Sequence, residues 1–515
     1  MLQVTLLLIF FLSGVAGLGY EILWTRMLAV SLGHEIISML AVISAFFSGL
    51  ALGAWLFDGM VSRSRKPGHW YAVFELIVGL WALTLIFGIP KLNPVVASLI
   101  GAEPDPFRHW SISFLYPFLL LLPATAAMGG TLPAMDRFFC GLRQKERSVG
   151  GLYATNTLGA MAGILATTFF ILPALGMTRT SIVLALLNFM GAAGVFLVST
   201  FPKEKLPLEG AEETKGIDPG RLYVTLFTTG FLGIGFEVIM VRVLSQILEN
   251  TVFSFASLLS VYLLGTAVGA ALYQKYVKQV SFEKTLFYLL NCIALFCLAS
   301  ILLLPYVSQI YPFLYQGFGG GFWGSVLGEI ELSLLVFLLP TAAMGATFSH
   351  LAQGLRGSHG GVGKALCLNT VGGSLAPVFF GLWLIPVLGI KRGLLFIAAG
   401  YLLLIPRFRF AYLPVMIFPA AILLFISVNP NQYHFVTTTE GDSIVAHHEG
   451  VMASVTVLKD SQGEYHLKVN NHFQMGGTTS TYSDCRQAHL PLLLHPNPTT
   501  ALFLGLGTGT TFAAA

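Results

Sequence analysis

The sequence predicts an all-α polytopic membrane bundle of two six-helix parallel repeats, with 12–13 spans, followed by a small β-domain and the start of an α/β Rossmann-like domain. Three observations carry this. The 515 residues are 55% hydrophobic and only 10% charged, with a mean hydropathy of +0.77, whereas a soluble domain carries roughly a quarter charged residues. Apolar runs long enough to cross a hydrocarbon core of about 30 Å as helices recur as far as Val428. The first half of these runs repeats in the second.

The first membrane repeat, residues 1–200, holds spans at 2–20, 36–57, 70–90, 111–133, 150–172 and 180–200. The run from Met1 to Tyr20 has neither a basic leader nor a small-residue cleavage site before Glu21, so it reads as a retained first span. Residues 201–221, rich in Lys, Glu, Pro and Gly, form the linker. The second repeat, 222–406, holds spans at 222–241, 252–273, 285–305, 330–349, 364–386 and 393–406. Residues 407–428 are either a thirteenth span or an interfacial segment, since Pro414 and Pro419 interrupt the apolar run from Ala411 to Val428.

Sliding the chain 216 places onto itself brings Gly14, Gly17, Gly19, Glu21 and Arg26 onto Gly230, Gly233, Gly235, Glu237 and Arg242. Gly49, Gly53, Met128, Gly129 and Thr131 fall on Gly265, Gly269, Met344, Gly345 and Thr347 without a gap. At an offset of 213, Asn156, Thr157, Gly159, Pro173, Gly176 and Arg179 fall on Asn369, Thr370, Gly372, Pro386, Gly389 and Arg392. Six spans per copy is an even number, so both copies enter from the same side, related by an axis along the membrane normal. The loops after spans 2, 4, 6, 8 and 10 hold sixteen Lys and Arg against seven on the other face, which puts the N-terminus in the cytoplasm of an inner, cytoplasmic membrane.

Ionisable residues inside a bilayer are costly, so the repeated Glu21/Arg26 and Glu237/Arg242 stand out. They serve as interfacial anchors or internal ion pairs, or they line a pathway for a cation or proton. Asn156 and Asn369 are hydrogen-bond donors beside that pathway or polar contacts between helices. The Gly49-x-x-x-Gly53 and Gly265-x-x-x-Gly269 pairs are close helix contacts.

From Asn429 the composition turns polar. Residues 429–499 are β-rich: Ala453–Leu458 and Tyr465–Val469 alternate about the turn Asp460-Ser-Gln-Gly463 as a hairpin, and a short helix lies around Arg486–Leu494. In residues 500–515, a buried strand at Thr500–Leu504 runs into Gly505-x-Gly507-x-Gly509 and a helix start. That arrangement either admits a nucleotide-like or adenosyl cofactor at the helix N-terminus or is an ordinary glycine-rich turn. Seven of the twelve histidines lie in this tail without ligand spacing, and the five cysteines show no CxxC pair, so no metal is expected. A net charge of +4 with no basic cluster interleaved with aromatics argues against nucleic acid. The expected partners are the lipid bilayer and a small-molecule amine.

Val469-Asn-Asn-His-Phe-Gln474, His489-Leu-Pro-Leu-Leu-Leu-His495 and Phe503-Leu-Gly-Leu-Gly-Thr-Gly509 resemble the opening of a spermidine synthase domain. Together with Gly14–Arg26 and Tyr153-Ala-Thr-Asn-Thr-Leu-Gly159, the whole chain resembles the fused membrane-bound, major-facilitator-like spermidine synthases. The resemblance implies an aminopropyltransferase that moves an aminopropyl group from decarboxylated S-adenosylmethionine to an amine, with Gln474, Gly505, Gly507 and Gly509 binding the cofactor. It also implies a cytoplasmic tail, and catalytic residues beyond Ala515. The alternatives are a transporter with a regulatory or binding tail, and a methyltransferase-like enzyme using S-adenosylmethionine. This sequence departs from the family at Thr508, where an acid is expected, and at Thr479, Ser480, Ser483, Asp484 and Cys485, where acids and a Tyr-His-Glu run are expected.

Overall fold

The computed structural model describes residues 2–32, 35–102, 105–143, 149–200, 218–248, 252–276, 281–356, 361–405, 413–428, 433–451, 453–471 and 473–515. Most of the linker, with Arg407, Arg409 and His472, lies outside them. Among the described residues ten helices are long and apolar enough to cross a membrane, and the chain is a multi-pass membrane protein. The first half contains α1 (Leu2–Leu32), α2 (Glu35–Arg63), α3 (Pro67–Ile100), α4 (Pro106–Arg143), α5 (Val149–Ala166) and α6 (Leu172–Thr200). The second contains α7 (Pro219–Leu244), α8 (Val252–Tyr276), α9 (Phe282–Leu303), α10 (Val307–Gly317), α11 (Gly321–Arg356), α12 (Val362–Ala376) and α13 (Ile385–Leu403). Large apolar side chains such as Trp55, Phe87, Phe170 and Leu403 face outward, as a lipid solvent requires.

Twelve spans are expected and ten continuous helices are found, because α5 runs into α6, and α12 into α13, without a loop. Each junction is a π-helical turn, at Thr167–Ile171 and Pro377–Leu384, followed by a break at Gly176 (φ 72°, ψ 174°) or Gly389 (φ 76°, ψ 171°). Pro173 and Pro386 each remove a backbone donor just upstream, and only glycine takes that φ without strain. At Gly176 both pieces, 149–175 and 177–200, exceed the roughly 20 residues a span needs, whereas the helix after Gly389 ends at Leu403, short of that length.

Contacts recur in pairs at the offsets of the sequence repeat. Gly14 packs on the Asn156 backbone as Gly230 does on Asn369, and Gly159 packs on Phe11 as Gly372 does on Phe227. Gly53 lies against the Ala126 carbonyl, and Gly269 against that of Ala342. At each of these positions a Cβ would strike backbone, so glycine sets how closely the helices approach.

Two opposite ends of the bundle can be named from contacts. At the basal end, Asp58 of α2 accepts from the Gly363 amide at the start of α12 (3.3 Å), and Gly150 at the start of α5 abuts Gln274 near the end of α8. The distal end holds the C-termini of α1 and α7, where Asn93 Nδ2 donates to the Met27 carbonyl (3.0 Å).

The segment left open in the sequence is a helix, α14 (Leu413–Val428), packed on α9 and α13. At 1.5 Å per residue it is about 24 Å long. Pro414 falls in its first turn, where a missing N–H costs nothing. The tail then forms an antiparallel sheet in sequence order, β1 (Ser443–Glu449), β2 (Ser454–Lys459), β3 (Tyr465–Val469) and β4 (Phe473–Gly477), followed by α15 (Thr481–Leu494) and α16 (Thr510–Ala514). The expected hairpin is present, with Lys459 opposite Tyr465.

One expectation is corrected here. Thr500–Leu504 is not a buried strand: Leu502 and Leu504 are 85% and 91% exposed, and no described strand pairs with the segment, so it lacks the ladder that would hold it extended. The tail sheet docks on the end of the bundle that holds the C-terminus of α7. There Arg242 Nη2 donates to the Gly450 carbonyl (3.0 Å) and lies 3.8 Å from Glu449, both side chains being under 10% exposed. Gln246 bridges Glu449 and Ser454. Removing one partner of a buried ion pair typically costs about 3–5 kcal/mol. Arg242→Ala is therefore expected to release the sheet, read as faster amide exchange in β1 and β2 with α1–α6 unchanged.

The hairpin turn has its own pH dependence. Asp460 accepts from the Gln462 and Glu464 amides and from His466 Nε2 (2.9 Å each), and the His466 hydrogen bond holds its carboxyl below the usual range. A depressed folded-state pKa contributes stability above the unfolded value, 3.8, that is lost as pH falls through the folded one. The turn is thus expected to fray at acid pH, and in Asp460→Ala to do so at neutral pH, seen in the amide shifts of Gln462 and Glu464.

Candidate functional site

A cavity of about 190 Å³ lies between the two halves, walled by α1, α2 and α5 on one side and chiefly by α7, α8, α11 and α12 on the other. Glu21, Asn156, Glu237 and Asn369 all line it. The helices place them through the glycine contacts: Gly14 and Gly159 draw α1 onto α5, Gly230 and Gly372 draw α7 onto α12, and each acid stands two turns beyond its glycine.

Both carboxylates are 7% exposed, and no described residue gives either a hydrogen bond or an ion pair. The asparagines bridge helices: Asn156 Nδ2 donates to the Phe10 carbonyl (3.1 Å) and Asn369 Nδ2 to that of Leu226 (3.2 Å). Each oxygen is thereby left for a donor in the cavity. Tyr153, Tyr262 and Tyr401 supply hydroxyls, and Phe46, Phe47 and Phe348 supply ring faces. Phe46 and Tyr262 occupy equivalent positions of the two halves.

Two carboxylates, two amide oxygens and several aromatic rings around one cavity suit a cation. An isolated carboxylate in a low-dielectric interior is costly, a positive ligand offsets that cost, and aromatic faces attract alkylammonium groups by about 0.5–2 kcal/mol.

The two arginines do not join this cavity. Arg242 is committed to the tail sheet, and Arg26 is half-buried without a described partner, so neither forms the internal pair that the spacing allows. Gln474 lies on the exposed surface of β4, its amide 3.1 Å from His466 Nδ1. Gly505, Gly507 and Gly509 all take positive φ (100°, 57° and 78°), and Gly507 and Thr508 lie beside Met475 and Gly476 of β4. Turn and strand thus adjoin. An adenosyl group would meet an open glycine turn there, but of the acids that would anchor a ribose or an amine only Asp484 is close, and it already accepts from Ser480 (2.7 Å).

In the same tail, His434 stacks edge-on to His447 at 4.4 Å, and burial and that neighbour hold its pKa below the ordinary value. The described residues contain no group of three or more potential metal ligands.

Among the acids that sequence reasoning missed are the buried Glu75 and Glu329 and the half-buried Asp58. Glu75 is 1% exposed and bonded to Ser13 and Asn188, Glu329 accepts from Ser254 (2.7 Å), and Asp58 bridges to α12. None has an acidic counterpart at the repeat offset: position 291 is Asn, 113 is Ser and 274 is Gln. A search for duplicated charges passes over them, whereas a search for any acid inside an apolar run would have found Glu75.

No family profile matches the chain. It is 25% identical over 195 residues to polyamine aminopropyltransferase 1 of Streptomyces coelicolor, covering 38% of this chain and 33% of that protein. It is also 25% identical over 195 residues to a polyamine aminopropyltransferase of Mycobacterium tuberculosis, covering 35% and 32%. The chain thus spans about a third of the length of these relatives. The aligned 195 residues exceed those that follow Val428, so the similarity reaches into the helical part. Among solved structures, it is similar to a bacterial homologue of the iron transporter ferroportin in an outward-facing state (TM-score 0.49, 12% identity, 83% of this chain and 99% of that one). It is also similar to the E. coli fucose:proton symporter FucP (TM-score 0.48, 15% identity, 84% and 98%).

Proposed function

We propose that the chain is a membrane carrier for a small organic cation, bound between its two halves, with Glu21 and Glu237 as its charge partners and Asn156 and Asn369 as hydrogen-bond acceptors. The observation that carries this is the pair of unpartnered carboxylates, one from each half, facing one cavity. The recurrence of glycine and asparagine contacts at the repeat offsets supports two six-helix units related by an axis along the membrane normal. A carrier of that build can rock one unit against the other about a central site.

The described basic residues Arg63, Lys275 and Lys364 lie beside the contacts of the basal end, which under the positive-inside rule faces the cytoplasm. The tail then faces outside. Adenosyl cofactors are made and held in the cytosol, so a tail on the outer side binds or regulates.

A second reading, aminopropyl transfer from decarboxylated S-adenosylmethionine by the tail, is favoured by the similarity to the aminopropyltransferases and by the glycine turn beside Gln474. It needs the tail in the cytoplasm. A periplasm-dependent reporter enzyme fused after Thr499 separates the two: activity is expected, and its absence, with a cytoplasm-dependent reporter active at the same site, would return the enzymatic reading to first place. The carrier itself is tested with the purified chain in liposomes, where uptake of labelled putrescine as the organic-cation probe should saturate; uptake no faster than in empty liposomes would remove it.

A further inference from the structure

Glu75 stands about two turns into α3, sealed from solvent and outside the cavity wall. Its Oε1 accepts from Ser13 Oγ of α1 (2.5 Å) and its Oε2 from Asn188 Nδ2 of α6 (2.7 Å). Asn188 Oδ1 accepts in turn from the Tyr20 hydroxyl (3.0 Å). The polar chain therefore runs from Glu75 to the residue that precedes Glu21, whose carboxylate faces the cavity. The titratable groups around Glu75 are the Tyr20 and Tyr71 phenols, and no Lys, Arg or His of α1, α3, α4 or α6 pairs with it among the described residues. Every partner is neutral.

Packing alone does not require an acid at this place. The second-half counterparts of Ser13, Tyr20, Glu75 and Asn188 are Thr229, Phe236, Asn291 and Tyr401, so there an amide occupies the acid's position. Asn291 sits buried on α9 and donates to the Phe287 carbonyl (2.8 Å). The first half thus places a group that can gain and lose a proton where the second half has one that cannot. An ionised carboxylate closed in among neutral groups is costly, and a proton is the one ligand small enough to neutralise it there.

We propose that Glu75 is a proton-binding site that couples proton exchange to cation transit; this rests on the carrier reading above. With the cavity empty, Glu75 holds a proton. A cation between Glu21 and Glu237 adds positive charge at the far end of the Tyr20–Asn188 chain and favours the carboxylate. The Glu75 O–H bond then breaks and the proton passes to water at one membrane face. When the cation leaves, Glu75 takes a proton from water at the opposite face, so one proton crosses against one bound cation.

The test uses the full chain, wild type and Glu75→Gln, in detergent and in liposomes. The amide keeps the size of the side chain and can still meet Ser13 and Asn188, so both forms should elute alike on size exclusion. Infrared difference spectra should show a protonated-carboxyl band in wild type that disappears as pH is raised and on adding putrescine, and that is missing from Glu75→Gln. In liposomes an imposed pH gradient should accelerate wild-type putrescine uptake about tenfold, while Glu75→Gln should keep labelled-for-unlabelled exchange at equal pH and lose the acceleration. Gradient-driven uptake by Glu75→Gln, or an unchanged carboxyl band in it, would overturn the proposal. If no form exchanges putrescine, the carrier reading falls on that result alone. The pH titration of the band then judges Glu75 separately: a titrating band lost in Glu75→Gln keeps the proton site, and a band that stays sinks it.

Discussion

Replacing Glu21 or Glu237 by glutamine is expected to raise the KM for putrescine about 10- to 100-fold, since a hydrogen bond to a charged group contributes roughly 1.5–3 kcal/mol. The double replacement should abolish saturable uptake. Glutamine keeps the volume and the hydrogen-bonding oxygen and removes only the charge. Neither carboxylate has a described protein partner, so nothing in the fold depends on that charge, and thermal unfolding of both variants should match or exceed wild type. This separates a ligand-binding acid from a structural one. A drop in melting temperature with unchanged KM would mean that the acids hold the halves together, whereas unchanged uptake with an unchanged melting temperature would leave the cavity without a role in cation binding.

The second large effect concerns folding. A Cβ at Gly53 would strike the Ala126 carbonyl and one at Gly269 that of Ala342, in both cases backbone that cannot rotate away. Gly53→Leu or Gly269→Leu must therefore push α2 from α4 or α8 from α11. These are the two most extensively packed helix pairs of their halves. Overpacking of this kind costs about 1–3 kcal/mol even where only methylenes are added, and separating whole helices should cost more. The expected outcome is loss of the monodisperse peak in detergent. Gly59→Leu is the control, because nothing lies within 4 Å of the position its Cβ would take. Equal loss in the control would show that tolerance of bulk in α2 has nothing to do with the α4 contact.

Membrane character, the twelve apolar segments, the duplicated unit and the tail hairpin are legible in the sequence because each rests on local information. Segment length against bilayer thickness, alternation and the repeat offsets need no knowledge of which elements touch. The polar lining of the cavity was legible in part: Glu21, Asn156, Glu237 and Asn369 stand out as duplicated polar residues in apolar runs, and the structure has all four on one cavity. The arginines duplicated with them look identical in sequence, yet Arg242 turns to Glu449 in the tail while Arg26 has no described partner.

What only the tertiary structure decided is which polar groups meet and which end of the bundle carries the tail. Arg242 and Glu449 stand 207 positions apart in the chain, and no periodicity couples residues across that distance. The placement of α14 is equally non-local: the sequence leaves 411–428 open, and the structure packs it as a helix on α9 and α13. Thr500–Leu504 shows the reverse case, an apolar run with the composition of a strand that stays outside any sheet, because a strand is a property of its neighbours. The sequence thus determined what each segment is made to bury. The structure decided against what, because burial in a membrane bundle is completed by the partner helix and not by the segment itself.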